Sequence, residues 1–418
     1  MNKKILIFVT LFLATCTVYA TETSISLTDS LALNASLKDS LAPVKSDVKP
    51  IVKWYDNISL RGYAQVRYNR LFETNPDLKC EQCDKSWGDN NGFFIRRARM
   101  IFFGQIHPRV YMYIQPDFAS SAGTTNHIVQ LRDAYFDLSL DKSNEFRLRF
   151  GQSKVPFGFE NMQSSQNRLA LDRNDALNSA VSNERDLGVF FYWAPAKTRK
   201  LFSELVNSGL KGSGDYGVFA FGAYNGQTAN QPERNNKLHV VSRLTYPFKF
   251  KNQIIEASIQ GYTGKVVVTN LSTGIKKSLN AEYLDQRVGG SFILYPKPFG
   301  LQAEYNIGQG PQFNKLTDSI ETKQLRGGYI MANYQLKIKN QLVIPFVRAQ
   351  HYEGGKKHEL DARSYNVNEL EIGVEWQPVK NFELVAMYTI SERRFEDYAK
   401  QDNLQAGRLL RLQAQFNF

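Results

Sequence analysis

The sequence predicts an all-β protein, a transmembrane antiparallel β-barrel of about sixteen strands. Three observations predict it. The chain begins with an export-type segment, segments with every second residue apolar recur along most of its length, and the connections between them alternate between short and long. Short periplasmic turns on one rim and long external loops on the other are the pattern of a membrane barrel.

Residues 1–20 have the features of a cleavable signal peptide. Lys3 and Lys4 precede an apolar run from Ile5 to Val18, and Ala20 supplies a small residue for cleavage. The run is shorter than the roughly 20 residues that a membrane-spanning helix needs. Cleavage after Ala20 would also remove Cys16, whose surroundings weakly resemble a lipoprotein site.

Residues 21–53 form the next compositional unit, rich in Ser, Thr, Asp, Lys and Ala and poor in aromatic residues. This composition predicts a flexible periplasmic leader. Alternation begins near Trp54, so residues 54–418 are predicted to be one barrel domain. No later stretch is apolar for the length of a membrane helix, and the mean hydropathy is −0.39, which excludes a helical membrane protein.

The first strand illustrates the rule that identifies the others. Leu60 and Val66 lie on one face, which suits lipid, whereas Arg61 and Arg67 lie on the other, which suits water. An even count of such segments fits a closed bacterial barrel. The segments start near residues 57, 92, 109, 127, 145, 186, 215, 236, 252, 284, 299, 325, 341, 364, 381 and 406.

Three features depart from this pattern. The connection from Ala196 to Gly214 is long where a short periplasmic turn is expected. Pro345 lies inside a strand, where its missing N–H predicts a bulge. Arg132 falls on an apolar face, so either it lies above the lipid or the register slips there.

Inward-facing arginines are the candidate pore-lining, anion-binding residues. Guanidinium groups match the oxygens of phosphate and carboxylate, and a low-dielectric wall strengthens their field. The alternative is that each pairs with an inward acid such as Asp133 or Asp137. The candidates are Arg61, Arg67, Arg97, Arg99, Arg147, Arg149, Arg243 and Arg287.

The last third of the chain presents acids to the same side of its strands. Glu369, Glu371, Glu375 and Glu383 are predicted to face inward. Basic residues on one wall and acidic residues on another would create a transverse field, which orders polar solutes without strict anion selectivity.

The connection from Ser153 to Arg185 is the longest in the chain, and a loop of this length is normally functional or disordered. We expect it to fold into the lumen as a constriction loop; the alternative is a loop outside the barrel. Its cationic candidates are Lys154, Arg168, Arg173 and Arg185.

The formal net charge of +12 admits nucleic acid, an anionic membrane surface or small anions as partners, and export argues against nucleic acid. The five histidines are scattered and no nucleophile elbow is present, so no enzyme, cofactor or metal site is predicted. Cys80 and Cys83 lack two further zinc ligands, which leaves a loop disulfide or two free thiols.

Five motifs together resemble the phosphate- and polyphosphate-selective porin O/P family. They are FFIRRAR at 93–99, DFA at 117–119, LRDAYFDL at 131–138, FGQSKVPFGFE at 150–160 and NERDLGVFF at 183–191. The resemblance implies a sixteen-stranded, trimeric outer-membrane porin with an inward-folded loop and an arginine-lined lumen. Arg97, Arg99, Arg147 and Arg149 lie where that lining is expected, whereas the acidic residues of the last third depart from a uniformly cationic channel.

The leading hypothesis is therefore a passive porin for small anions such as phosphate or polyphosphate, in the outer membrane of a Gram-negative-type cell. The alternatives are a general diffusion porin with a transverse field and a plugged barrel acting as an adhesin or receptor. Outer-membrane lipid is the expected surrounding of the barrel. The strand that ends at Phe418 is typical of proteins handed to the barrel-assembly machinery.

Overall fold

The computed structural model describes residues 53–80, 92–122 and 125–418. The predictions for the signal peptide, for most of the leader and for Cys83 lie outside the described residues. Cys80 is disulfide-bonded and buried in a small cluster with Leu78 and Leu409.

One antiparallel sheet closes on itself, because β1 pairs with both β2 and β17. The seventeen strands fill sixteen positions, since β12 and β13 both pair with β14 and are separated by Gln335. The predicted closed barrel is confirmed. The strands are β1 Ser59–Leu71, β2 Gly92–His107, β3 Val110–Ala122, β4 Thr125–Ser139, β5 Phe146–Lys154, β6 Arg185–Trp193, β7 Phe219–Tyr224, β8 His239–Phe250, β9 Gln253–Val267, β10 Glu282–Leu294, β11 Phe299–Asn314, β12 Ser319–Tyr334, β13 Leu336–Ile338, β14 Gln341–Gly355, β15 Ser364–Val379, β16 Phe382–Glu396 and β17 Leu404–Asn417.

In the described part of the chain, α-helices occur only between strands. The α-helices are α1 Phe159–Met162, α2 Asp175–Ala180 and α3 Ala196–Asn207, and the 3-10 turns are Trp54–Asn57, Leu279–Ala281 and Leu360–Ala362. Among the described residues, no helix is long and apolar enough to cross a membrane.

The two faces of the sheet differ as the alternation predicts. Leu60, Tyr305 and Phe416 point outward with 53%, 51% and 48% of their surface exposed. Tyr63 and Arg67 point inward and are buried. The outside of the barrel is therefore apolar, and the inside carries the charged groups.

The connections sort onto two ends of the barrel. At the short-turn end, Pro108 and Arg109 alone join β2 to β3, and Lys251 and Asn252 alone join β8 to β9. The exception is the connection from β6 to β7, which contains α3. The opposite, long-loop end carries the connection between β5 and β6.

Two sequence anomalies are resolved differently. Arg132 is an extra residue in β4, because Gln115 pairs with Asp133 while the next residue pairs with Leu131, so the predicted register slip is confirmed. The prediction of a bulge at Pro345 is wrong, since Pro345 pairs in register with Val374. The interruption lies instead in the neighbouring strand, where β12 ends and the Gln335 N–H donates to the Pro298 carbonyl.

Candidate functional site

Residues 155–184, here called the inner segment, fold back into the barrel between β5 and β6. Asp172 pairs with Arg67 of β1 at 3.2 Å and with Arg411 of β17 at 2.5 Å. On the far side, the N–H of Phe159 donates to Glu304 of β11 at 2.5 Å. The segment thus spans the lumen, as the loop prediction requires.

Further buried ion pairs attach the inner segment to β14 and β16. Arg348 reaches Glu160 at 2.6 Å, and Arg393 reaches Asp175 at 2.8 Å. Lys356 also pairs with Asp175. Removing one partner from such a buried pair leaves an uncompensated charge, so these contacts fix the position of the segment.

Two of the anchor carboxylates, Asp172 and Asp175, have lowered pKa values. Burial alone would raise the pKa of Asp172, but Arg67 and Arg411 outweigh it and hold that pKa well below its usual range. Burial likewise opposes ionisation of Asp175, whose pKa is held low by Arg393 and Lys356.

Lys154 fixes the start of the inner segment. Its Nζ donates to the carbonyl oxygens of Asn161, Met162 and Gln163 at 3.0, 3.2 and 2.7 Å. These carbonyls end the short helix α1, where the negative end of the peptide dipoles favours a cation. Lys154 therefore positions the turn.

Glu184 gathers the cations at the end of the inner segment. It pairs with Arg168 at 2.9 Å, with Lys154 and Arg173 at 3.6 Å each, and with Arg185. Burial would raise its pKa, but these cations hold the pKa well below the usual value. One carboxylate thus forms ion pairs with four cations.

A first cavity of about 590 Å³ opens between the inner segment and the β2–β4 wall, toward the long-loop end. Seven arginines and four carboxylates line it, so positive charge is in excess. They are Arg96, Arg97, Arg99, Arg132, Arg168, Arg173 and Arg234, with Asp117, Asp172, Glu184 and Glu359.

A second cavity of about 420 Å³ lies along the same side, toward the short-turn end. Six cations and three carboxylates line it, with several tyrosines. The charged residues are Arg61, Arg147, Arg149, Lys154, Arg185 and Arg199, with Asp133, Asp137 and Asp215.

The predicted site residues divide into two groups. Nine of them line one of the two cavities, as the lists above show. Arg67, Arg243 and Arg287 line neither of these two cavities, and their role in lining the pore stays a prediction. Arg67 and Arg243 are paired with Asp172 and Glu256, and Arg287 donates to the Ala176 carbonyl of the inner segment at 3.1 Å.

Three arginines of the first cavity have no acidic partner among the described residues: Arg97, Arg132 and the exposed Arg234. Arg97 donates to the Gln65 amide oxygen at 2.7 Å, and Arg132 donates to the Asn183 carbonyl at 3.2 Å, but neither forms an ion pair within the described residues. Arg99, in contrast, pairs with Asp117 at 2.7 Å. Arg97 and Arg132 are therefore the two guanidinium groups on the strands lining this cavity that pair with no described carboxylate.

Sequence reasoning missed Arg96, Arg132, Arg199 and Arg234 as lining residues. Arg96 of β2 and Arg132 of β4 each lie at a register shift, so their side chains do not follow the inward–outward alternation of the strand. Arg199 lies on α3, within the connection whose length was already anomalous. A charged residue out of phase with its strand was the usable signal for Arg132.

The acids of the last third face inward as predicted, but they are neutralised. Glu371 pairs with Arg411 at 3.1 Å, Glu369 pairs with Arg393 at 3.0 Å, and Glu375 pairs with Lys211 at 2.6 Å. Together with Glu383 they line neither of the two cavities. The transverse field expected from free carboxylates opposite the arginines therefore does not form across these cavities.

Within the described part of the chain, no cluster of His, Cys, Asp and Glu could hold a metal ion.

Comparison with known proteins supplies independent findings. A family model described as phosphate-selective porin O and P matches residues 77–418. The fold is similar to the outer membrane channel DcaP of Acinetobacter baumannii, with TM-score 0.53 and 13% identity over 86% of this chain and 97% of that one. It is also similar to the trimer form of OmpT of Vibrio cholerae, with TM-score 0.51 and 10% identity over 86% and 99%. At these identities the likeness is one of fold; no curated protein matches the sequence.

Proposed function

This chain belongs to the phosphate-selective porin O and P family, and from that membership we propose that small oxyanions of phosphate size cross it along the β2–β6 wall. The protein is an outer-membrane diffusion channel with a preference for anions, and not an enzyme. Its short-turn end faces the periplasm and its long-loop end faces outward, as in other such barrels.

The availability of Arg97 and Arg132 carries the proposal. A guanidinium group offers a planar fork of hydrogen-bond donors that fits the edge of a phosphate group. When the guanidinium group has no carboxylate partner, it can bind an anion without first breaking an ion pair. The first cavity also has more arginines than acids, so its potential draws anions inward from solution.

The proposed path continues from the first cavity to the second, past Arg99 and Arg185. Both are ion-paired, Arg99 with Asp117 at 2.7 Å and Arg185 with Asp133 at 2.8 Å. Each of these carboxylates competes with a passing anion. Binding that is shared among several weak sites lets a solute leave as well as enter, which is what conduction requires.

Reversal potentials in asymmetric KCl test the proposal on purified protein in planar bilayers. The wild-type channel should prefer chloride to potassium, and added phosphate should reduce the chloride current. Arg97→Gln and Arg132→Gln should each weaken the phosphate inhibition by roughly tenfold, because each removes one charge-assisted contact. Arg326→Gln is the matched control, since Arg326 is 62% exposed and paired with Glu353 outside the lumen. A cation-selective wild type, or equal effects in all three variants, would contradict the proposal.

The two alternative functions make different predictions in the same experiment. A plugged adhesin or receptor would not conduct at all. A general diffusion porin with a transverse field would conduct without phosphate inhibition, and the pairing of Glu369, Glu371 and Glu375 argues against such a field.

We also propose a homotrimer as the assembled form. The support is the fold similarity to OmpT, whose structure is described as a trimer form. The apolar outer face would supply both the subunit contacts and the surface for outer-membrane lipid. Chemical cross-linking and light scattering in detergent would test it, with a monomer at all concentrations as the contrary result.

Export and assembly add two further proposals. Residues 1–20 would be removed as a signal peptide and residues 21–53 would remain as the leader, so the mass of the purified protein should correspond to a chain that begins at Thr21. Recognition of the last strand by the barrel-assembly machinery predicts that Phe418→Ala lowers the folded amount in cells more than it lowers refolding in detergent.

A further inference from the structure

The connection from β6 to β7, residues 194–218, is here called the exit segment. Phe202 and Leu205 of α3 and Leu210 beyond it belong to one buried apolar cluster with Phe159 of the inner segment. Ile254, Ile293 and Tyr295, from β9 and the end of β10, complete that cluster. The exit segment thus folds inward and shares a core with the inner segment, unlike an ordinary turn.

The middle of the exit segment reaches the far wall. Lys211 Nζ bonds to Glu375 of β15 at 2.6 Å, and Glu383 of β16 lies 3.9 Å away. The Gly209 carbonyl accepts from Gln335, which joins β12 and β13, at 3.1 Å. Burial would lower the pKa of Lys211, but the two carboxylates outweigh it and raise that pKa, so the lysine stays charged. The exit segment therefore crosses the periplasmic mouth from β6 to β15.

The returning part of the exit segment meets the second cavity at Asp215. Its carboxylate pairs with Arg199 of α3 at 2.7 Å and with Arg147 of β5 at 2.9 Å. The ring of the next residue, Tyr216, lies 5.6 Å from the Arg149 guanidinium. All of these residues line the second cavity, so charged groups of the exit segment border the path of a solute.

From this arrangement we infer that Arg147 and Arg199 form a second oxyanion-binding site at the periplasmic exit, in which Asp215 is an exchangeable counter-ion that a permeating anion displaces. The inference rests on the proposed function and deepens it by naming the exit site. It also makes the exit segment a second constriction. Other connections on this rim, such as those between β2 and β3 and between β8 and β9, are short turns.

The contacts around the pair explain why exchange is possible without loss of the site. Arg147 keeps Asp137 as a partner at 3.8 Å, and Arg199 keeps the Asn144 carbonyl at 2.5 Å, so both cations stay in place when Asp215 moves. The side chain of Asp215 is 14% exposed and that of Arg199 is 28% exposed, so an anion in the cavity can reach both. A phosphate between the two guanidinium groups would gain charge-assisted hydrogen bonds equivalent to those it replaces.

Charge substitutions at this pair test the inference through the chloride-to-potassium permeability ratio and the inhibition by phosphate added from the periplasmic side. Asp215→Asn should raise the permeability ratio about tenfold, because one unit charge roughly 6 Å from the path in water-like surroundings changes the permeability of each ion about threefold, upward for chloride and downward for potassium. Arg199→Gln should lower it by about the same factor, and the double variant should return near the wild-type value. Periplasmic phosphate inhibition should strengthen in Asp215→Asn and weaken in Arg199→Gln.

Glu204→Gln is the matched control. Glu204 lies on the same helix, is 49% exposed and pairs with Lys249 away from the cavity. An anion-selective wild type in which the Asp215 and Arg199 variants change nothing would overturn the inference and leave the proposed function standing. Equal effects of Glu204→Gln and Asp215→Asn would overturn it too, since they would show only a general field. A wild type without anion preference would remove the proposed function and the inference together.

A thiol label provides a readout that does not disturb the ion pair. Ser203 of α3 also lines the second cavity, and Ser203→Cys can be modified from the periplasmic side with small charged methanethiosulfonates. The anionic reagent should lower chloride conductance and the cationic reagent should raise it. If neither reagent changes the conductance of a modified channel, the exit segment does not border the path and the inference fails.

Discussion

Gly62 and Phe418 exchange both of their backbone hydrogen bonds, at 2.8 and 3.0 Å, and so join the first strand to the last residue of the chain. The aromatic ring of Phe418 lies over the glycine. A β-carbon at position 62 would come within 2.3 Å of the ring and within 2.5 Å of the Arg99 carbonyl oxygen. Closure of the barrel at this seam therefore depends on the absence of a side chain at Gly62.

Gly62→Ala is expected to destabilise the folded barrel by about 1–3 kcal/mol, because the new methyl group overpacks the seam. Unfolding in urea, followed by the mobility shift of folded against heated protein in SDS gels, measures this. Gly261→Ala is the control, since the nearest atom to a β-carbon there is 3.2 Å away and the seam is not involved. Equal stability of the two variants would show that the seam tolerates a side chain.

Asp172→Asn should loosen the inner segment. The substitution leaves Arg67 and Arg411 with less compensation in a buried site, at a cost of about 3–5 kcal/mol, so the open-channel current should become noisier and larger. Single-channel recordings give both quantities.

Asp402→Asn makes the same chemical change on an external loop, where the side chain is 86% exposed and paired with Lys315. It should stay within about 0.5 kcal/mol of wild type and leave the current unaltered. An Asp172→Asn channel as quiet as this control would mean that the other anchors hold the inner segment unaided.

Replacing residues 164–173 by a short Gly-Ser link should raise single-channel conductance severalfold, because this stretch fills the lumen between β1, β17 and α1. The link is feasible, since the Asn174 N–H already bonds to Glu160 at 2.9 Å and the ends are therefore close. Anion preference should fall at the same time, because the replaced stretch contains two arginines, Arg168 and Arg173, and one carboxylate, Asp172, so the lumen loses one net positive charge. An unchanged conductance in a folded channel would exclude this stretch as the constriction.

The barrel could be predicted from sequence because each strand has lipid on one side and water on the other. Apolar and polar residues therefore alternate along the strand, and this local pattern identifies it. The poorest strand start shows the limit of that signal. β12 begins at Ser319 and not near residue 325. Its first residues include the charged Glu321 and Lys323, because the hairpin with β11 extends beyond the apolar belt. Where both faces meet water, alternation disappears.

The candidate site could be predicted only in part. Arg67 and Arg97 have the same inward phase in the sequence, yet Arg67 is bound to Asp172, 105 positions away, while Arg97 faces the first cavity. Which arginine is paired depends on the path of the inner segment, and that path is set by long-range ion pairs with no local pattern. The exit segment escaped prediction for the same reason: its length was visible, but its contact with Glu375 was not.

His358 lines the first cavity but should add nothing to the pH dependence of anion preference between pH 8 and pH 5. Burial, reinforced by the neighbouring charge of Lys357, lowers the pKa of His358 to about 3 and outweighs the opposing effect of Asp285. An ordinary histidine, with a pKa of about 6.5, would add a positive charge over this range. His358 instead stays neutral, so conduction gains no new cation. Because its folded pKa lies below the unfolded value, its contribution to stability is complete above about pH 6.5 and is lost as the pH falls toward 3. Reversal potentials at pH 8 and pH 5, for wild type and His358→Gln, test the first claim, and urea unfolding at the same pH values tests the second. A rise in anion preference at pH 5 that His358→Gln abolishes would show that the ring is protonated in the open channel.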